Sequence, residues 1–201
     1  MWPDLPHCYA ERHGASVEGG RLAVLGRRWA RRTGWATMIL SWALLVALSC
    51  AYFVWPASDR PRRVDAILSL DGADEALRVA RAVGLVEQGY SDVLLFSQGA
   101  YRSEACPRLP KVDVVCFVPA PARTVGEVEF AARYAAVRGW HSLMVVSGHT
   151  QATRARLLLA RCFKGKAVVV PAAPPSIPDL VYQVLYEWGA LVKALVVDPG
   201  C

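Results

Sequence analysis

Four short segments carry residue types from which a polar site could be built. They are Asp71-Gly72-Ala73-Asp74, Ser97-Gln98-Gly99, Arg123-Thr124-Val125-Gly126-Glu127 and Ser147-Gly148-His149-Thr150-Gln151. Asp71 and Glu127 are the carboxylates suited to general acid or base work. Gly72, Gly99 and Gly148 would let backbone approach a ligand closely. The backbone at Ser97, Gln98 and Gly99 and at Ser147 and Gly148 could cradle an anion, because N–H groups at turns and helix starts favour negative charge. Arg78, Arg123 and Arg154 could neutralise a phosphate or carboxylate.

Each segment also has a plainer reading. Thr124 and Glu127 have the Ser/Thr-x-x-Glu spacing of a capping box. Ser97-Gln98-Gly99 fits a tight turn, and His149 fits a helix cap. Arg154, Arg156 and Arg161 fit a solvated helix face. Several standard signatures are missing: Gly-x-Gly-x-x-Gly, the Gly-x-x-x-x-Gly-Lys-Ser/Thr loop and the Gly-x-Ser-x-Gly elbow. No Cys/His cluster has zinc spacing.

The elements that must position these segments follow from apolar patterning. Residues 64–70, 92–97, 112–118, 142–147 and 167–171 are short, nearly continuous apolar runs rich in Val. That composition suits parallel strands covered on both faces. Helical patterns fall at 74–88, 125–138 and 151–163, the first two followed by Gly89 and Gly139. A last helix over 176–196 repeats apolar residues at i, i+3, i+4 spacing and reads as a packing helix, too polar at Gln183, Glu187 and Lys193 to span a membrane. Pro107 and Pro110 break the segment between the second and third strands. The expected fold is α/β, with a doubly wound, mainly parallel five-stranded sheet of Rossmann-like kind. In such sheets ligands bind beyond the carboxyl ends of the strands, which is where all four segments lie.

Residues 34–55 contain no charge and are long enough to cross a bilayer, with Trp35 and Trp55 at the two ends. A cleaved signal peptide fits less well, since the run exceeds the usual signal core of about 7–15 residues. Residues 1–33 read as a flexible basic tail, 56–63 as a linker and 64–201 as the folded domain. Arg21, Arg27, Arg28, Arg31 and Arg32 precede the span, against Arg60, Arg62 and Arg63 after it. That bias predicts a single-pass protein of the plasma membrane with its C-terminal domain extracytoplasmic. The formal net charge of +6 is shared between the tail and the domain, and no basic face interleaved with aromatics argues for nucleic acid. Cys106, Cys116, Cys162 and Cys201 are an even set within the domain. They are either two disulfides, guessed as 106–116 and 162–201, or buried thiols.

The segments also occur in a recognisable order. "DAILSLDGA" is followed by Arg78, Ser97-Gln98-Gly99, Ser103-Glu104-Ala105, Thr124-Val125-Gly126-Glu127 and "VSGHTQATRA" over 146–155. Together they resemble the DUF218, or YdcF-like, domain family, which includes the SanA and ElyC envelope proteins. The resemblance covers about Val64 to Lys166, with Glu187 a loose match in the last helix. Gln151 stands where the family has a His, and Gln does not shuttle protons near neutral pH. The resemblance implies envelope biogenesis, a membrane partner and a small anionic or phosphorylated ligand. The ligand set it implies is Gly72, Arg78, Ser97, Gln98, Gly99, Glu104, Thr124, Ser147, Gly148, Gln151 and Arg154, with Asp71 and Glu127 as acid–base groups. One branch of the family is associated with S-adenosylmethionine, but no residue here selects it, and the cofactor is left unassigned, as is the oligomeric state. The expected function is therefore a membrane-anchored binder of an anionic ligand, with an inactive regulatory module or a cytosol-facing nucleotide-type binder as alternatives.

Overall fold

The computed structural model describes residues 33–72, 75–98, 106–197 and 200–201. The chain divides into two units, Met1–Ala47 and Leu48–Cys201. In the first, the described residues are helical and present Trp35, Ile39, Leu40 and Trp42 on the outside. They begin helix α1 (Thr33–Val54), which is long and apolar enough to cross a membrane. Its last turn, Cys50–Val54, has π-helical pitch and belongs to the second unit.

The second unit is built on five parallel strands: β1 (Ala66–Ser69), β2 (Val93–Ser97), β3 (Asp113–Phe117), β4 (Ser142–Ser147) and β5 (Lys166–Pro171). Their order is β3-β2-β1-β4-β5, and every pairing is parallel. All four residues of β1 are buried because both its faces are covered. Side chains alternate across the sheet. Ala66, Leu68, Leu95, Leu143, Val145 and Val169 enter one apolar cluster. Ile67, Leu94, Met144, Val146, Val168 and Val170 enter the other.

Helix α2 (Glu75–Glu87) supplies Ala82, Leu85 and Val86 to the second cluster. Helices α3 (Thr124–Arg138) and α4 (Ala152–Cys162) cover the opposite face with Val128, Ala131, Ala135, Ala155, Leu158 and Leu159. Helix α3 ends at Gly139, whose φ of 69° lets its N–H reach back to the Ala135 and Ala136 carbonyls. The loops after β1 and β4 thus lead to opposite faces of the sheet, which opens a crevice at their shared carboxyl end. Between β2 and β3 the described residues contain no helix.

Three expectations change. The expected linker over 56–63 is not a free tether, because Asp59 pairs with edge strand β5. Its N–H donates to the Val169 carbonyl at 3.0 Å, and its carboxylate accepts from Val169 N–H and from Arg156, each at 2.8 Å. Burial works against that charge, but these donors outweigh it and hold the carboxyl below its usual range. The compact unit also begins at Leu48 rather than at residue 64, while the apolar helix, Thr33–Val54, keeps within a residue of the expected 34–55. The third change concerns helix α5 (Ile177–Val192), which is followed by a π-helical turn, Lys193–Val197. Expected to bury its apolar stripe, it instead buries Gln183 and Glu187 and exposes much of the stripe. Together with that turn it too is long and apolar enough to span a membrane.

Both cysteine pairs form as guessed, Cys106 with Cys116 and Cys162 with Cys201. The second closes a separation of 39 residues. Cys201→Ser is expected to lower stability by about 4 kcal/mol through the longer-loop entropy of the open chain. Denaturant unfolding of the full chain, with and without reductant, checks this; a reductant-insensitive wild type would contradict it.

Candidate functional site

The carboxyl ends of β1 and β4 and the starts of α3 and α4 meet at a cavity of about 800 Å³. Of the expected residues, Asp71, Gly72, Arg123, Thr124, Glu127, Gly148, Gln151 and Arg154 line it. Helix α5 closes one side with Tyr182, Gln183, Leu185, Tyr186 and Glu187, and Lys193 follows from the next turn.

The centre of the network is Gln151, which is buried. Its Oε1 accepts from the Gly148 N–H at 3.1 Å. Its Nε2 donates to the Thr124 hydroxyl at 2.9 Å and to the Asp71 carbonyl at 3.3 Å. One side chain therefore ties the loops after β1 and β4 to the start of α3. Gly72 sits beside it at a φ of 136°, a conformation that side-chain-bearing residues rarely adopt.

Glu127 is 2% exposed, and its Oε1 accepts the Asp71 backbone N–H at 2.5 Å. Burial pushes its carboxyl up to about 7, with the Asp71 charge adding to the rise. The Asp71 N–H, the Ser97 hydroxyl and the Arg78 charge oppose it. Ser97 Oγ is near enough to favour the charged form, yet it makes no hydrogen bond of full geometry and is the buried side-chain polar atom left without one among the described residues. Glu127 is thus poised to hold or release a proton near neutrality.

The capping box expected from Thr124 and Glu127 does not form. Thr124 is the first residue of α3, and Arg123 stands at the cap position in extended backbone. The Thr124 hydroxyl accepts instead from Gln151 and, at 2.7 Å, from Arg154. Gly126 is required for a different reason: a Cβ there would lie 2.1 Å from the Pro121 carbonyl oxygen.

Arg154 grips Glu187 with two bonds, Nε to Oε2 at 2.9 Å and Nη2 to Oε1 at 2.8 Å. Their side chains are 11% and 5% exposed. Burial disfavours the Arg154 charge, but the Glu187 carboxylate outweighs it and raises its pKa. The expected solvated face is therefore not where Arg154 lies. Thr150 adds a parallel link, donating to Gln183 Oε1 at 3.1 Å.

The remaining expected residues do not line the cavity. Arg78 is buried and donates to the carbonyls of Leu70 and Gly72, so it supports the turn after β1 from behind. The Ser147 hydroxyl donates to the Gly148 carbonyl at 3.0 Å, and the Gln98 N–H donates to the Phe117 carbonyl at 2.9 Å. His149 turns its Nε2 to the Val54 carbonyl, 3.0 Å away. Gly99 and Glu104 lie outside the described residues. Among the described residues, no group of three His, Cys, Asp or Glu side chains could hold a metal ion.

Sequence reasoning missed Gln183 as a site residue and had Glu187 only loosely. The signal was present: two polar residues four apart in an otherwise apolar helix share one face. Compared with protein-family models, with curated proteins and with solved structures, this chain matches none.

Two predictions follow from these energetics. Arg154→Met alone should cost about 3–5 kcal/mol, because it strands the Glu187 carboxylate, whereas Arg154→Met with Glu187→Leu should recover most of the loss. Equal losses in the single and double variants by denaturant titration would contradict the pairing. For Glu127, the folded carboxyl binds its proton more tightly than the unfolded one. Stability should be greatest below about pH 4.5 from this group and fall as pH rises through about 7. The rise corresponds to on the order of 3 kcal/mol. Glu127→Gln should flatten the profile, which melting temperatures across that pH range measure.

Proposed function

We propose that this chain is a membrane-anchored, YdcF-like protein whose domain binds a small anionic ligand, phosphate- or carboxylate-bearing, at the carboxyl edge of its sheet. The fold is read as doubly wound and Rossmann-like, and the setting as envelope biogenesis. The observation that carries the reading is the convergence of Asp71, Glu127, Gln151 and Arg154 on one cavity where the strand order reverses. The order of the sequence segments supports the family likeness. The arginine bias around the span and the two cysteine pairs support an extracytoplasmic domain.

Because Arg154 is already paired with Glu187, Lys193 is the cation on the cavity wall that would meet the anion, on a wall that also carries the Asp71 and Glu127 carboxyls. Glu127 is the general acid or base of any transfer or hydrolysis at this site, and Asp71 is its neighbour on the wall. A second reading is a binding module without turnover. Gln151 favours it, since its amide is fully engaged in holding loops and carries no transferable proton.

Calorimetry on the full chain in detergent, titrated with phosphorylated small molecules and their unphosphorylated counterparts, tests the ligand class. A phosphorylated member is expected to bind and its counterpart not to. Lys193→Ala should weaken that binding by about 1–3 kcal/mol, as for a charge-assisted contact. Binding indifferent to the phosphate would remove the anionic reading. Recovery of the bound ligand unchanged after long incubation selects the binding module over the enzyme.

A further inference from the structure

Helix α5 is inside out for a protein surrounded by water. Its polar residues Gln183 and Glu187 are buried, while Ile177, Val181, Leu185 and Val192 are 78%, 58%, 68% and 53% exposed. The first three recur at i, i+4 spacing and, with Val192, form one outward stripe. Val196 and Val197 extend the exposed apolar surface into the following turn. Tyr182 and Tyr186 are exposed beside the stripe, and amphipathic rings of this kind favour the headgroup level of a bilayer.

The end of α1 packs on α5 at Trp188, which lies between Leu185 and Val192 in the sequence. Phe53 meets Trp188 edge-on at 5.2 Å, and Trp188 Nε1 donates to Ser49 Oγ at 2.9 Å. The Thr153 hydroxyl donates to the Tyr52 carbonyl at 2.5 Å, and His149 contacts the Val54 carbonyl. These contacts all lie within the unit that begins at Leu48. The last turn of the apolar helix is therefore fixed against α5. Where the C-terminal end of α1 leaves a bilayer, α5 is held beside it.

We propose that the exposed stripe of α5 lies on the lipid surface of the membrane, which places the mouth of the cavity against the bilayer. This rests on the membrane anchoring in the proposed function. The occupant of the stripe is lipid rather than a second copy of the chain, because α5 is fixed to the end of a segment that is itself apolar enough to enter the bilayer. Nor does α5 cross the membrane. Gln183 and Glu187 are bonded to Thr150 and Arg154, and a transmembrane α5 would leave those groups without partners. A helix with one apolar face and one polar face lies in the interface instead. Leu185, Tyr182 and Tyr186 belong both to this surface and to the cavity wall, so lipid contact and ligand access share residues.

The test uses the full chain in phosphatidylcholine vesicles containing an acyl-chain aryl-diazirine photolabel, with labelled residues mapped by mass spectrometry. Label is expected on residues 34–54 and on Val181, Leu185 and Val192. Each should be labelled severalfold above Val137 of α3, a valine that is 86% exposed and serves as the aqueous control. Label on 34–54 with α5 no higher than Val137 overturns this proposal and leaves the anchor standing. No label on either segment overturns both. Label at Gln183 and Glu187 as strong as at Leu185 would mean that α5 spans the bilayer. Crosslinking of α5 to a second copy, with the stripe unlabelled, would assign it to a dimer.

Discussion

Three loops at the carboxyl edge of the sheet are held by the side-chain amide of Gln151, and the rest of the site depends on that. A buried amide must find partners for its oxygen and both of its N–H groups. Gly148, Thr124 and Asp71 supply them, one from each loop. With the loops fixed, the Asp71 N–H is aimed at the Glu127 carboxylate, and Arg78 fastens the same turn from behind. Glu127 then remains buried, with enough hydrogen bonding to tolerate its charge and too little to favour it fully. Its poise near neutrality follows from that balance.

On its inner side helix α5 is joined to this arrangement through two polar links. Arg154 and Thr150, at or beside the start of α4, take Glu187 and Gln183 as partners. Burying a carboxylate and a guanidinium in one seam contributes little net stability, yet it rejects other registers of the helix, since any slip strands a charge. The same seam determines which residues face outward. Placing positions 183 and 187 inward turns 181, 185 and 192 away from the domain. The apolar outer face is therefore a geometric consequence of the way the cavity is closed.

The sheet was legible from the sequence because parallel strands covered on both faces leave an unambiguous trace. The runs at 142–147 and 167–171 match β4 and β5 to within a residue, and the others overshoot by one or two at their ends. Asp71, Gly72, Thr124, Glu127, Gly148 and Gln151, which line the cavity, all lie in the strand-end segments, and Arg154 follows one turn into α4. Two things were not legible. Local spacing made Thr124 and Glu127 a cap, but tertiary partners claimed both groups. For α5, periodicity identifies an apolar stripe and cannot say which side meets the protein. Only the Gln183 and Glu187 pair carried that information, and it was read as an argument against a membrane span rather than as the inner face.

The choice of glutamine at 151 acquires a physical meaning from this network when it is set against a histidine at the same place. A neutral imidazole offers one donor and one acceptor on opposite sides of a rigid ring, so it could satisfy at most two of the three loop contacts. The amide satisfies all three. Histidine at 151 would bring a proton carrier but would leave one buried partner unsatisfied or displace a loop. With Gln151 the loops are tied more completely, and the proton transfer proposed above falls to the cavity group that burial holds near neutrality. That group is Glu127, and its neighbours on the wall are the Asp71 carboxylate and the cations Arg154 and Lys193. In the proposed reading, chemistry at this edge runs through a carboxylic acid whose ionisation is set chiefly by burial, and the glutamine keeps the loops around it in register.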